Sequence, residues 1–304
     1  MLTAILIVLP VFGLVMVGYS AIRFNLLSEK AGIGISEFVF NLGMPALMFR
    51  TLVHAEFPSN QPWGYWISYF GGALGVWVIS SLISGKIFKQ NSTEGVVAGF
   101  AAGQSNTMLM GIPMIMQAYG KAAEVPLFML IAIHLPIIMT LATILAEGRK
   151  ASVLTLIKRL VTHPIMAGII LGLIIRPFGH YVPEFIWKIT DPVATAAGPC
   201  ALIAMGISLH RYGIEAGWKQ PSIISFLKLI MHPLLVYVLA SYVFTMPPVW
   251  IGVAVLFAAC PTGVNAYIFA AQYRQGIGLA STTLTLSTAL SIFTIVMWLR
   301  VLGV

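Results

Sequence analysis

Charge is what this sequence lacks. Of its 304 residues only 9% are Asp, Glu, Lys or Arg and 59% are apolar, whereas a soluble chain has roughly a quarter charged. A soluble globular domain is thereby excluded. Cysteine is scarce too: Cys200 and Cys260 both lie in apolar runs, which excludes a disulfide framework and leaves them packing roles. The catalytic signatures are missing as well. HExxH, a P-loop lysine, a GxSxG elbow and a Cys/His cluster are all absent, so neither enzyme chemistry nor a metal or cofactor is expected. The net charge of +8 does not make a nucleic-acid surface, because its 17 basic residues are scattered singly without interleaved aromatics. Met1 to Ser20 has neither a positive leading region nor a small-residue cleavage motif, and is expected to be a retained first span.

What the sequence has is apolar runs of about 20 residues, each long enough to cross about 30 Å of hydrocarbon as a helix. They predict an all-α membrane protein with ten spans, near 2–22, 31–52, 64–85, 94–119, 124–146, 164–178, 190–210, 222–246, 248–272 and 278–302. Within the longest connection, Glu147 to His163, the run Val153 to Val161 has the pattern of an amphipathic interfacial helix. An outside N-terminus would place eleven of the 17 basic residues on the cytoplasmic side and five opposite, with Lys228 inside a span. Cytoplasmic loops are enriched in Lys and Arg, so both termini are expected outside an inner membrane.

The halves 1–150 and 151–304 carry faint copies of one another. Gly43-Met-Pro-Ala46-Leu47 matches Gly198-Pro-Cys-Ala201-Leu202 at an offset of 155, and Phe100-Ala101-Ala102 matches Phe257-Ala258-Ala259 at 157. Five spans per half would give the two copies opposite orientations. Inverted repeats of this kind belong to secondary transporters, whose site lies where helices of the two repeats are broken near mid-depth.

Two spans carry such breaks. Gly103-Gln104-Ser105-Asn106-Thr107 with Gly111 and Pro113 interrupts the fourth, and Cys260-Pro261-Thr262-Gly263-Val264-Asn265 interrupts the ninth. Proline removes a backbone donor and glycine tolerates non-helical dihedrals, so Gly103, Pro113, Pro261 and Gly263 mark the expected breaks. Non-helical backbone survives at membrane depth only where protein or a watery cavity satisfies it. The second halves of the broken helices would present free N–H groups and partial positive charge to an anion. Asn106 and Asn265 are the first candidates for substrate hydrogen bonds, followed by Gln104, Ser105, Thr107 and Thr262. Asn41 has two readings, the same cavity or an interhelical bond. His134, His232 and Lys228 are candidates for a proton relay. Equally open are interhelical bonds for the histidines, and snorkelling or capping for Lys228 and Glu37. No Asp or Glu pair stands at the presumed crossing, which argues against an antiporter with a dicarboxylate ion site.

The run Asn106-Thr-Met-Leu-Met-Gly111-Ile-Pro113-Met114 closely resembles a signature of the auxin efflux carrier family. Phe38-Val-Phe-Asn-Leu-Gly-Met-Pro45-Ala-Leu47, His163-Pro164, Ala259-Cys-Pro261-Thr-Gly263 and Phe269-Ala270 extend the likeness over essentially the whole chain. The resemblance implies two inverted repeats in a fold like that of bile-acid transporters. It further implies a dimerising scaffold of spans one, two, six and seven, and a transport unit of spans three to five and eight to ten that moves as an elevator. Asn106, Pro113 and Pro261 match the family's motif, whereas Asn265 rests on the helix-break reading alone. The long soluble loop of the plant PIN-FORMED carriers is absent, and residues 64–85 hold no charge, so bacterial malonate or malate permeases are the nearer likeness. The expected cargo is a small mono- or dicarboxylate, with proton or sodium coupling undecided. Rival readings are sodium symport of a bile-acid-like anion and a membrane sensor that does not transport.

Overall fold

The computed structural model describes residues 2–55, 62–148, 164–212 and 217–304. The amphipathic stretch expected at 153–161, and His163, lie outside them. Every named element among the described residues is helical. Eight helices are long and apolar enough to cross a membrane, and Pro248–Ala259 is a shorter apolar helix.

The first group of helices comprises α1 (Leu2–Arg23), α2 (Glu29–Phe38), α3 (Met44–His54), α8 (Pro164–Ile175) and α9 (Glu184–Tyr212). The Ser28 hydroxyl caps α2 by accepting from the Ala31 N–H at 3.2 Å. A π turn at Val39–Gly43 joins α2 to α3, where Pro45 sits at the first turn and no donor is lost. The seventh apolar run was expected from residue 190; α9 instead starts six residues earlier, at Glu184. Its polar first turns are held by ion pairs, Lys188 to Glu184 at 3.0 Å and Arg50 to Asp191 at 3.7 Å. Helices α1 and α9 approach through glycine: a Cβ on Gly206 would lie 1.9 Å from the Val15 carbonyl oxygen, and one on Gly18 2.1 Å from that of Ile203. Small residues at such contacts let backbones meet where the hydrophobic effect between helices is weak.

The second group comprises α4 (Trp63–Lys86), α5 (Ser92–Gly103), α6 (Ile112–Tyr119), α7 (Glu124–Glu147), α10 (Lys219–Phe226), α11 (His232–Val238), α12 (Pro248–Ala259), α13 (Val264–Tyr273) and α14 (Ile277–Val301). A capping box starts α5: the Glu94 N–H donates to Asn91 Oδ1 at 2.9 Å, and the Asn91 N–H to Glu94 Oε2 at 3.3 Å. Between α10 and α11 a π turn, Leu227–Met231, adds a residue to the helical repeat. The carbonyl of Leu229 within it accepts from Trp298 Nε1 at 2.9 Å. Outward-facing positions are apolar, among them Leu9, Val78, Leu82, Leu171, Ile174 and Phe293, the pattern of a protein solvated by lipid.

A candidate anion site at two broken helices

Helix α5 makes its last backbone bond from the Gln104 N–H to the Phe100 carbonyl at 2.8 Å, and the chain then turns extended. Helix α12 ends the same way: the Cys260 N–H bonds the Leu256 carbonyl at 3.1 Å and Cys260 takes φ −57 and ψ 146. The two extended segments pair as a short antiparallel bridge, Ser105 opposite Thr262. The Asn106 N–H donates to the Pro261 carbonyl at 2.8 Å and the Gly263 N–H to the Gln104 carbonyl at 3.2 Å. Backbone groups that the helices give up are thus satisfied by the opposite break.

Side chains complete the exchange. Were α5 to continue, the Ala101 carbonyl would accept from residue 105; it accepts from Thr262 Oγ1 instead, at 2.9 Å. The Thr262 N–H, which a continuous α12 would direct to the Ala258 carbonyl, donates to Ser287 Oγ of α14 at 3.1 Å. Gly263 lets the two breaks approach closely: a Cβ on it would lie 1.9 Å from Gln104 Oε1, and that side chain would have to shift. Pro261 supplies a carbonyl and has no donor to leave unsatisfied.

Beyond the breaks the second halves begin. A π turn at Thr107–Gly111 leads into α6, with Pro113 at its first turn, and Gly263 leads into α13. A cavity of about 230 Å³ opens between these two starts. Gln104, Ser105, Asn106, Thr107 and Asn265 supply its polar lining, and Phe40, Leu135, Val264 and Ile268 are among its apolar walls. Among the described residues no Asp, Glu, Lys or Arg lines it. First-turn N–H groups of a helix have no carbonyl before them and carry about half a unit of positive charge together, so both ends favour an anion. Asn106 Nδ2 also reaches Met205 Sδ of α9 at 3.0 Å, which places this amide against the other helix group.

The remaining sequence candidates fall around this cavity. Thr262 is fully buried with its hydroxyl and N–H both engaged. Gly103 packs on α4, where a Cβ would meet the Ala73 carbonyl oxygen at 3.1 Å. Asn41 and the exposed Glu37 line a neighbouring cavity of about 290 Å³, at the end where α1 finishes and α2 starts. The two cavities share Phe40, Leu109, Val264 and Ile268.

Lys228 corrects the snorkelling reading. It is fully buried, and its Nζ donates to Ser105 Oγ at 2.7 Å and to the Ala258 carbonyl at 2.5 Å, with His232 Nδ1 at 3.1 Å. Lys228 lies in the π turn Leu227–Met231, and its ammonium reaches the crossing rather than the interface. His134 is buried on α7 and shares a hydrogen bond with the Tyr69 hydroxyl at 3.0 Å. The Tyr69 ring packs against both His134 and His232, at centroid distances of 5.4 and 5.6 Å. Nε2 of both histidines is buried without a hydrogen-bond partner among the described residues.

Sequence reasoning missed Tyr69 and Ser287. Tyr69 has no signature in an aromatic-rich span. Ser287 did leave a signal: Ser281, Thr282, Thr283, Ser287, Thr288 and Ser291 crowd one apolar helix, and all are buried.

Comparison with known proteins matches the chain to transporters. The family model described as membrane transport protein matches residues 3–299. A Rhizobium meliloti protein named "Putative malonate transporter" is 28% identical over 95% of this chain and 92% of its own length. An uncharacterised transporter of Methanocaldococcus jannaschii is 24% identical, with 96% of each chain covered. The lysosomal cholesterol signaling protein of Mus musculus is 24% identical over 93% of this chain but only 36% of its own length. With apolar helices throughout and a family match from end to end, this chain belongs to the membrane transport protein family, that of the auxin efflux carriers, and is a multi-pass membrane transporter.

Proposed function

We propose that the protein carries a small organic anion, a mono- or dicarboxylate such as malonate or malate, held where the second halves of the two broken helices begin. The observation that carries this reading is the convergence of two helix N-termini and Asn106 on one cavity of about 230 Å³ lined, among the described residues, by no charged side chain. Such a site stabilises a carboxylate through fixed amide dipoles, without the desolvation cost of a buried Arg or Lys facing it. The relative named "Putative malonate transporter" supports the choice of a short dicarboxylate.

In this reading the chain crosses the inner membrane ten times in two inverted units, 1–150 and 151–304, with both termini outside. Helices α1 to α3, α8 and α9 are a scaffold on which two copies dimerise. The other group moves against it as an elevator, carrying the crossing and its anion. The cavity near the α1–α2 turn, and the crossing cavity that shares Phe40, Leu109, Val264 and Ile268 with it, then belong to the inward-open state.

Thermal shift of the purified protein with a carboxylate panel, followed by uptake into vesicles, tests the reading. Accumulation of malonate or malate is the expected result. Binding without accumulation would support a sensor instead, a reading favoured by the kinship with a signalling protein. No response to any carboxylate would end the anion reading.

A further inference from the structure

The two breaks divide charge. On one side of the crossing stand the positive starts of the second halves, lining the cavity; on the other stand the negative, carbonyl-bearing ends of α5 and α12. The Ala258 carbonyl belongs to that negative side, and the Thr262 N–H that would have satisfied it is given to Ser287. Lys228 Nζ fills its place. All three ammonium donors have partners: Ser105 Oγ next to the α5 end, the Ala258 carbonyl near the α12 end, and His232 Nδ1 one turn on in its own helix. Lys228 is the one Lys, Arg, Asp or Glu among the buried described residues, so no buried carboxylate among them offsets its charge.

We propose that the Lys228 ammonium is a tethered cation, which fastens the two breaks to each other from their negative side and takes the role a diffusible coupling cation would have there. Hard cations bind through oxygen donors such as carbonyls, and here the Ala258 carbonyl and the Ser105 hydroxyl are both held by the lysine. Its consequence is an anion cycle that needs no sodium. Lys228 is a positioning residue: it keeps Ser105, which lines the cavity, and the α12 end in register, and the anion occupies the opposite, positive face. The proposal rests on the anion reading for its transport arm only.

Chemical rescue tests it. Lys228→Ala leaves space for propylammonium, which restores the missing atoms, and for a sodium ion. Malonate uptake into vesicles is measured in choline, sodium and propylammonium chloride. The wild type is expected to run equally in all three. Lys228→Ala is expected to fall about tenfold or more in choline, and to recover at least about threefold with sodium or propylammonium.

The same salts are compared for the unfolding temperature of purified protein without substrate: a rise for Lys228→Ala over choline, and none for the wild type. Wild-type uptake that drops without sodium, or a variant equally impaired in every salt, would overturn the proposal. If the wild type takes up no malonate, the cargo reading fails and the unfolding arm alone decides the lysine. Should Lys228→Ala not survive purification, Lys228→Gln, which retains a polar head, undergoes the unfolding comparison with sodium, and indifference to the salt overturns the proposal.

Discussion

Gly263 and Gln104 interlock across the crossing: a single added Cβ on the glycine would overlap Gln104 Oε1, at 1.9 Å. Gln104 is buried but lines the cavity, so its amide must turn toward that space to admit the methyl. Gly263→Ala is therefore expected to cost about 1–3 kcal/mol by overpacking. Shortening the partner makes room, so adding Gln104→Ala should return part of that loss. Unfolding midpoints of the two single variants and the double variant measure the coupling. Strict additivity would show that the two side chains do not share this space.

Ser287 accepts a backbone donor that the α12 break leaves over, the Thr262 N–H, at 3.1 Å. Ser287→Ala strands that buried group, at a cost of about 1–3 kcal/mol. Ser287→Thr retains the acceptor and should lose less. Thermal unfolding in detergent checks the order, and equal loss in both variants would mean that volume, rather than the hydrogen bond, matters at this position.

The α1–α9 contact makes a prediction of opposite signs. Gly206→Ala sets a methyl 1.9 Å from the Val15 carbonyl oxygen, a backbone atom that cannot swing away, and the unfolding midpoint should fall. Gly34→Ala, on α2 with nothing within 4 Å of the new methyl, should gain about 0.5–1 kcal/mol through helix propensity. A midpoint unchanged by Gly206→Ala would refute the close packing of these helices.

Asn106 offers its amide at the mouth of two positive helix ends. If it bonds a carboxylate, Asn106→Ala should weaken binding by about 1–3 kcal/mol, roughly 5- to 150-fold in apparent affinity. Asn106→Asp should weaken it further, because a carboxylate there repels the cargo. Malonate concentration series in vesicles separate these outcomes. An Asp variant as active as the wild type would remove Asn106 from the anion's surroundings.

Much of the fold was legible because the bilayer is a severe solvent. Runs of apolar residues with few charges have one use at this density, and their ends at Glu124, Pro164 and Pro248 coincide with helix starts in the structure. The breaks were legible for a related reason. Pro261, Gly263 and the polar run Gln104 to Thr107 would be costly in a lipid-facing helix, so their presence points to backbone satisfied elsewhere. What those residues bond was not legible. Thr262, a candidate for the cargo on chemistry alone, spends its hydroxyl on the Ala101 carbonyl.

Lys228 shows where reading along the chain stops. Its distance from the end of an apolar run suggested a side chain reaching for the interface, but it lies buried in a π turn and its ammonium reaches the crossing. The local signal is Pro233, which has no N–H to give the Leu229 carbonyl four residues before it; that Trp298, 69 positions away in the chain, takes up this carbonyl is decided by packing.

The sequence by itself determined the solvent, the helical content and the two places where helices could not run unbroken, since each follows from local composition and the obligation to satisfy backbone groups in oil. Only the tertiary structure decided that the two breaks pair with each other, that their positive ends share one cavity, and that a lysine closes the negative side. Those facts depend on which distant carbonyl meets which donor, and that is set by packing between helices rather than by any stretch of residues alone.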